Sequence, residues 1–308
     1  MLTRIFSKSK PINFVIVFFI ILLAFSVANV KLFIQTISFG LFLEKTTWFL
    51  TCWLLIFLFN FIVVKNSLTK RNHYQILLFG LFFLAFPQTT VNENILLANL
   101  FFLFGFRRIL SLRSQIRVKK KLFDAAFWFG IATLFYFWAI LFVVVIFGAL
   151  LLYTDNRLKN WIVPFVGLVT VFVISISLSV IFYDDFFEIL NIPPTLVSYN
   201  YTGYNSAKDL IAITLLFSFG GWSAIHYVKI FQKKKRASRP SYKVVFITVI
   251  IAFIIAILAP QKNGGEFLFL FTPLAIIITN YIESIKEKWF KELFLDILIL
   301  VPFLLLML

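Results

Sequence analysis

Long apolar runs alternate with short polar bursts along this chain, and the runs set its architecture. Helical crossings are expected over 12–29, 46–64, 75–90, 94–106, 161–182, 210–228, 244–259, 266–281 and 293–308. Runs of Phe, Leu, Ile and Val close to about 20 residues can span a bilayer only as helices, because each backbone N–H and C=O must find its partner within the segment. The stretch 122–153, LFDAAFWFGIATLFYFWAILFVVVIFGALLLY, is too long for one ordinary span and short for two. Between the first two crossings, KLFIQTISFGLFLEK reads as an amphipathic or re-entrant segment.

The polar bursts resolve the ambiguous stretch. Residues 107–121 and 229–243 each carry seven Lys or Arg, and basic clusters stay on the cytoplasmic side. Two clear spans, 161–182 and 210–228, separate these clusters, so parity requires 122–153 to enter and return as a hairpin. On that arrangement only Lys31, Lys45, Lys208 and Lys262 of the 29 basic residues face outward. The acids gather opposite them: Glu44, Glu93, Asp184, Asp185, Glu188, Asp209 and Glu266 all fall in outward loops. The expected fold is an all-α polytopic transmembrane bundle of about 11 membrane segments, N-terminus cytoplasmic and C-terminus outside.

Composition removes other classes. Of 308 residues 61% are hydrophobic, 14% are charged and 43 are Phe, with a mean hydropathy of +0.98. Residues 1–308 therefore read as a single integral-membrane domain with no soluble domain. A net charge of +16 does not make a nucleic-acid platform when its cations lie scattered between spans. The single Cys52 sits in an apolar run, which excludes internal disulfides and Cys-based metal sites. Arg4, Lys8 and Lys10 before an apolar run imitate a signal peptide, but the run is long for one and is read as the first helix.

Four outward stretches hold the candidate chemistry. In 183–209, Asp184, Asp185 and Glu188 form a carboxylate group able to serve as general base or to hold a divalent cation, the one cofactor envisaged. Tyr199, Tyr201 and Tyr204 in the same loop suit sugar rings, although an interfacial aromatic belt explains them without any ligand. Glu44 closes the first outward loop, beside Lys45. Glu93 and Asn94 lie in FPQTTVNENI, where an N-capping Asn alone would explain the polarity. Lys262 and Glu266 flank the glycine pair of QKNGGEFLFLFTP, a turn whose amides and cation suit a phosphate. Intramembrane polar groups are few: Asp296, Asn99 and Asn280. A coupled carrier usually needs several ionisable groups facing its midplane cavity.

The segments ENILLANLFFLFGFRRILSLRS, LFDAAFWFGIATLFYFWAILFVV and GEFLFLFTPLAIIITNYIE together resemble a family of bacterial inner-membrane proteins of about this length and of unknown function. More distantly, the chain is similar to C-type glycosyltransferases and O-antigen-polymerase-like proteins. That resemblance implies transfer or polymerisation of polyprenyl-linked sugars at the periplasmic face. It also implies a base or acceptor-orienting carboxylate in the first outward loop, for which the matching position is Glu44. Here that loop is only about 15 residues long and lacks the acidic pair common in the superfamily. The expected partners are membrane lipids, a polyprenyl-linked sugar and proteins of an envelope complex, in the bacterial inner membrane. A non-catalytic complex subunit and a lipid-linked-substrate flippase are the alternatives. A reporter fused after Tyr204 is expected to lie outside the cytosol; a cytosolic signal would overturn the orientation.

Overall fold

The computed structural model describes residues 2–30, 38–153, 158–190, 197–260 and 262–307, and among these every regular element is a helix. They are α1 (Leu2–Phe6), α2 (Pro11–Ala28), α3 (Phe39–Asn66), α4 (Tyr74–Ala85), α5 (Glu93–Leu110), α6 (Val118–Phe135), α7 (Val143–Tyr153), α8 (Leu158–Tyr183), α9 (Ala207–Lys233), α10 (Arg239–Leu258), α11 (Leu268–Ser284) and α12 (Lys288–Leu304), joined in places by 3₁₀ turns. Helix occupies each expected crossing. Among the described residues, seven helical stretches are long and apolar enough to traverse a membrane, against the expected count of about 11.

The described residues form two compact units. The first comprises 1–96, 200–233 and 262–308, the second 97–199 and 234–261. In the first unit every residue of α4 is buried, as are Leu268–Ile282 of α11. Both helices are apolar all round, so neither has a face to give to water, and the rest of the unit encloses them. Phe271 of α11 stands 5.4 Å from Phe82 and 5.6 Å from Phe83, and Phe79 lies 4.9 Å from Phe59 of α3. Enclosure is also what permits α4 to be short. Its 12 residues reach only roughly 18 Å at ~1.5 Å per residue, well below a hydrocarbon core of about 30 Å. Packing against protein rather than lipid spares its ends the cost of bare backbone.

Polar ties close one end of this unit. His73 N–H donates to the Phe6 carbonyl (2.9 Å), and the Lys70 N–H and Asn72 Nδ2 both donate to Glu283 Oε1 at 2.7 and 2.6 Å. Asn280 Nδ2 donates to the carbonyls of Leu68 and Ile276, each at 2.9 Å. That amide, considered above for a transport cavity, is committed to holding α11 against the α3–α4 connection; Asn99 is wholly buried and Asp296 half-buried.

In the second unit, 122–153 does double back. Helix α6 ends at Tyr136, whose backbone is extended (φ −146°, ψ 105°), and a 3₁₀ run Phe137–Phe142 leads into α7. Gln115, just before α6, donates from Nε2 to the carbonyl of Tyr153, the last residue of α7, at 2.8 Å. The two ends of the hairpin therefore meet. Phe142 packs inside the turn against Phe102 (4.2 Å) and Phe129 (5.8 Å). Arg108 Nε reaches Asp124 Oδ2 at 3.1 Å, which gives the acid at the start of α6 its partner.

Helices α6 and α8 approach closely because small residues face each other. A Cβ on Gly167 would lie 2.9 Å from Ala126 Cβ and from the Phe123 carbonyl, and one on Gly130 would lie 3.0 Å from Val171. Contacts of this kind hold helices together where lipid removes the hydrophobic drive. Elsewhere α8 presents Val166, Val169, Phe172 and Val173 outward, as a lipid-facing helix does. The expected re-entrant reading of the first outward loop needs one correction: Phe39–Lys45 continue α3, and only its earlier part, 31–37, lies outside the described residues. Gly167→Leu is expected to force α6 and α8 apart at a cost of about 1–3 kcal/mol. Thermal unfolding of the detergent-solubilised chain checks this, and an unchanged midpoint would contradict the packing.

Candidate functional site

At the end of the first unit away from Phe6 and His73, three loops converge, and side chains that cap the local backbone shape each one. Asn92 Oδ1 accepts from the Ile95 N–H (3.1 Å) and starts α5. Ser206 Oγ accepts from the Asp209 N–H (3.0 Å) and donates to Asp209 Oδ2 (2.6 Å), starting α9. Asn263 Oδ1 accepts from the Gly265 N–H (3.0 Å) within a turn where Gly264 sits at φ 84°. That conformation strongly favours glycine. Gln88, on the 3₁₀ turn Pro87–Thr90, donates from Nε2 to Asp209 Oδ1 at 2.7 Å and ties the first loop to the start of α9.

Between these loops lies a cavity of about 710 Å³ lined by Val27, Ala28, Pro87, Gln88, Val91, Asn92, Glu93, Asn94, Lys208 and Asn263. Four amides, one carboxylate and one ammonium among its wall residues contrast with the apolar chain around them. The ion pairs continue from its edge: Lys45 Nζ stands 3.6 Å from Glu93 Oε1 and 2.8 Å from Glu44 Oε1. Glu44 is thus one lysine removed from a cavity-lining residue, on the first turns of α3.

The tyrosine loop is anchored alongside. Lys262 Nζ lies over the Tyr201 ring at 5.0 Å, and Tyr204 packs on Phe267 at 5.6 Å. Burial holds the Lys262 ammonium below the ordinary lysine pKa. Gly203 abuts the Lys262 carbonyl so closely that a Cβ would collide with it. Tyr204 is buried rather than interfacial, so its ring belongs to the cavity's support and not to a surface belt. Glu266 differs most from expectation. Placed by sequence in an outward loop, it is completely buried at the head of α11.

The remaining predicted residues belong to the second unit. Asp184 ends α8 in a left-handed conformation (φ 55°), Asp185 Oδ1 accepts from the Phe187 N–H (3.1 Å), and Glu188 opens a single 3₁₀ turn instead of a longer helix. All three are exposed, as is Tyr199. Among the described residues, no three of His, Cys, Asp and Glu gather so as to hold a metal ion. Sequence reasoning passed over Gln88, Asn92, Lys208 and Asn263 as binding residues. Their signal was present in FPQTTVNENI and QKNGG, but Asn, Gln and Gly in such stretches also signal turns.

The long apolar helices define a multi-helical integral membrane protein. The chain belongs to DUF6427, a family of unknown function, which matches residues 1–307. No curated protein and no solved structure matches it. Gly203→Val is expected to lift the Tyr201–Tyr204 turn off Lys262 and loosen the cavity's flank. Hydrogen exchange over 199–206 should rise in this variant, and unchanged protection would contradict the anchoring.

Proposed function

We propose that this protein is an inner-membrane glycosyltransferase- or polymerase-like protein that holds the saccharide headgroup of a polyprenyl-linked substrate in the cavity of its first unit, on the periplasmic side. The amide-rich lining carries this reading. Each Asn or Gln side chain offers one acceptor and two donors, which pair with the adjacent hydroxyls of a sugar. Gln88, Asn92, Asn94 and Asn263 supply that chemistry together, Lys208 supplies a cation for the linking phosphate, and Val27, Ala28 and Val91 supply apolar wall for the first units of the lipid. A cavity of about 710 Å³ is of the size that small-molecule sites occupy.

Glu44, the position that the resemblance matches to the acceptor-orienting carboxylate, stands beside Lys45 and through it beside Glu93. In the proposed transfer the acceptor hydroxyl approaches from this rim. A carboxylate takes its proton, the oxygen forms a bond to the anomeric carbon, and the bond from that carbon to the phosphate oxygen breaks, releasing the polyprenyl phosphate. Asp184, Asp185 and Glu188 have no part in this scheme.

The test uses the full chain in lipid nanodiscs. A polyprenyl-phosphate-linked disaccharide should bind saturably, and Asn92→Ala with Asn263→Ala should weaken it about tenfold or more, since each lost hydrogen bond to a buried hydroxyl costs about 1 kcal/mol or more. The sugar-free polyprenyl phosphate should bind with little dependence on the two asparagines. Equal affinity of wild type and double variant for the disaccharide would sink the proposal.

A further inference from the structure

Among the described residues, Glu266 is the only carboxylate that is fully buried, and neither of its oxygens has a hydrogen-bond partner. The backbone amides of Asn263, Gly264 and Glu266 itself lie beside it without completing a hydrogen bond of good geometry. A second buried acceptor sits close by. Gln88 turns its amide nitrogen to Asp209, which leaves Oε1 buried and unpartnered. Both side chains border Gly264: a Cβ on that glycine would lie 3.6 Å from Gln88 Cδ, and its N–H neighbours the Glu266 carboxyl. Gln88 and Asn263 also line the 710 Å³ cavity, and Glu266, buried and outside the lining, follows Asn263 by three residues.

Glu266 and Gln88 thus border one turn and keep three buried acceptor oxygens without a partner, which a positively charged group would serve. One carboxylate and one neutral amide oxygen suit a monovalent charge. Divalent cations and transition metals collect more carboxylates, thiolates or imidazoles than are gathered here. An ammonium group would use the same oxygens through its N–H donors. We propose that Glu266 and Gln88 form a cation subsite in the wall of the cavity, filled by a free monovalent metal ion or by an ammonium group carried on the bound headgroup. The inference rests on the geometry of this turn and not on the saccharide reading. A cation here neutralises Glu266 and draws the 262–266 turn toward Gln88, so it bears directly on the shape of the cavity.

The test needs no lipid-linked ligand. The detergent-solubilised full chain is unfolded thermally in NaCl, KCl, ethanolamine hydrochloride, glucosamine hydrochloride or N-methylglucamine chloride at equal ionic strength. At about ten times its Kd, a specific cation should raise the midpoint by about 3 °C over N-methylglucamine. Glu266→Gln should abolish that rise, and Gln88→Leu should weaken the apparent affinity several-fold. A rise with Na⁺ or K⁺ assigns the subsite to a free ion. A rise with the two amines alone assigns it to an ammonium on the ligand. Should Glu266→Gln fail to fold, ²³Na line broadening on the wild-type chain, displaced by the amines and reduced in Gln88→Leu, reads the same site. Absence of any saturable response in the wild type, or its survival in both variants, overturns the proposal.

Discussion

A helix without a polar face must be surrounded, and the first unit is organised around two of them. Helices α4 and α11 bury essentially their whole lengths, so the other elements of the unit act as their solvent. From that enclosure follow the short α4, the phenylalanine contacts around Phe271, and the polar ties of Asn280 and Glu283, which satisfy backbone groups where helices end inside protein. Enclosing α11 also draws its first residues inward, and Glu266 goes with them.

The cavity is a by-product of how two helix starts and one glycine turn are capped. Asn92, Ser206 with Asp209, and Asn263 each satisfy local N–H groups, and Gln88 links the loops by donating to Asp209. A capping residue spends one oxygen on the backbone and keeps the rest of its polar group for the surroundings. When three such ends meet, the spare donors and acceptors face one space. Local structural duty and ligand-binding capacity are thus carried by the same side chains, which is why substitution there must be read through both.

The second unit shows a different economy. Lipid provides no hydrophobic drive for helices to associate, so contact surface does the holding. Gly130 and Gly167 bring α6 and α8 close enough for backbone and side chain to touch. The hairpin is held by the Gln115–Tyr153 hydrogen bond at its base and by Phe102, Phe129 and Phe142 within. Arg108, from the basic cluster before α6, and Asp124 within α6 neutralise each other.

The doubling back of 122–153, the all-helical fold and the class of membrane protein were legible in the sequence, because each depends on segment length, local hydropathy and the spacing of basic clusters along the chain. Glu44, Glu93 and Lys262 were legible as polar groups at helix ends for the same reason. The burial of Glu266 and Tyr204, the meeting of Gln88 with Asp209 and the assembly of four amides around one cavity were not. These depend on which loops, far apart in the chain, come to lie together, and a hydropathy pattern has no term for that. Sequence alone assigned each residue its preferred medium; tertiary packing chose its neighbours, and for a polar group in an apolar protein the neighbours decide the chemistry.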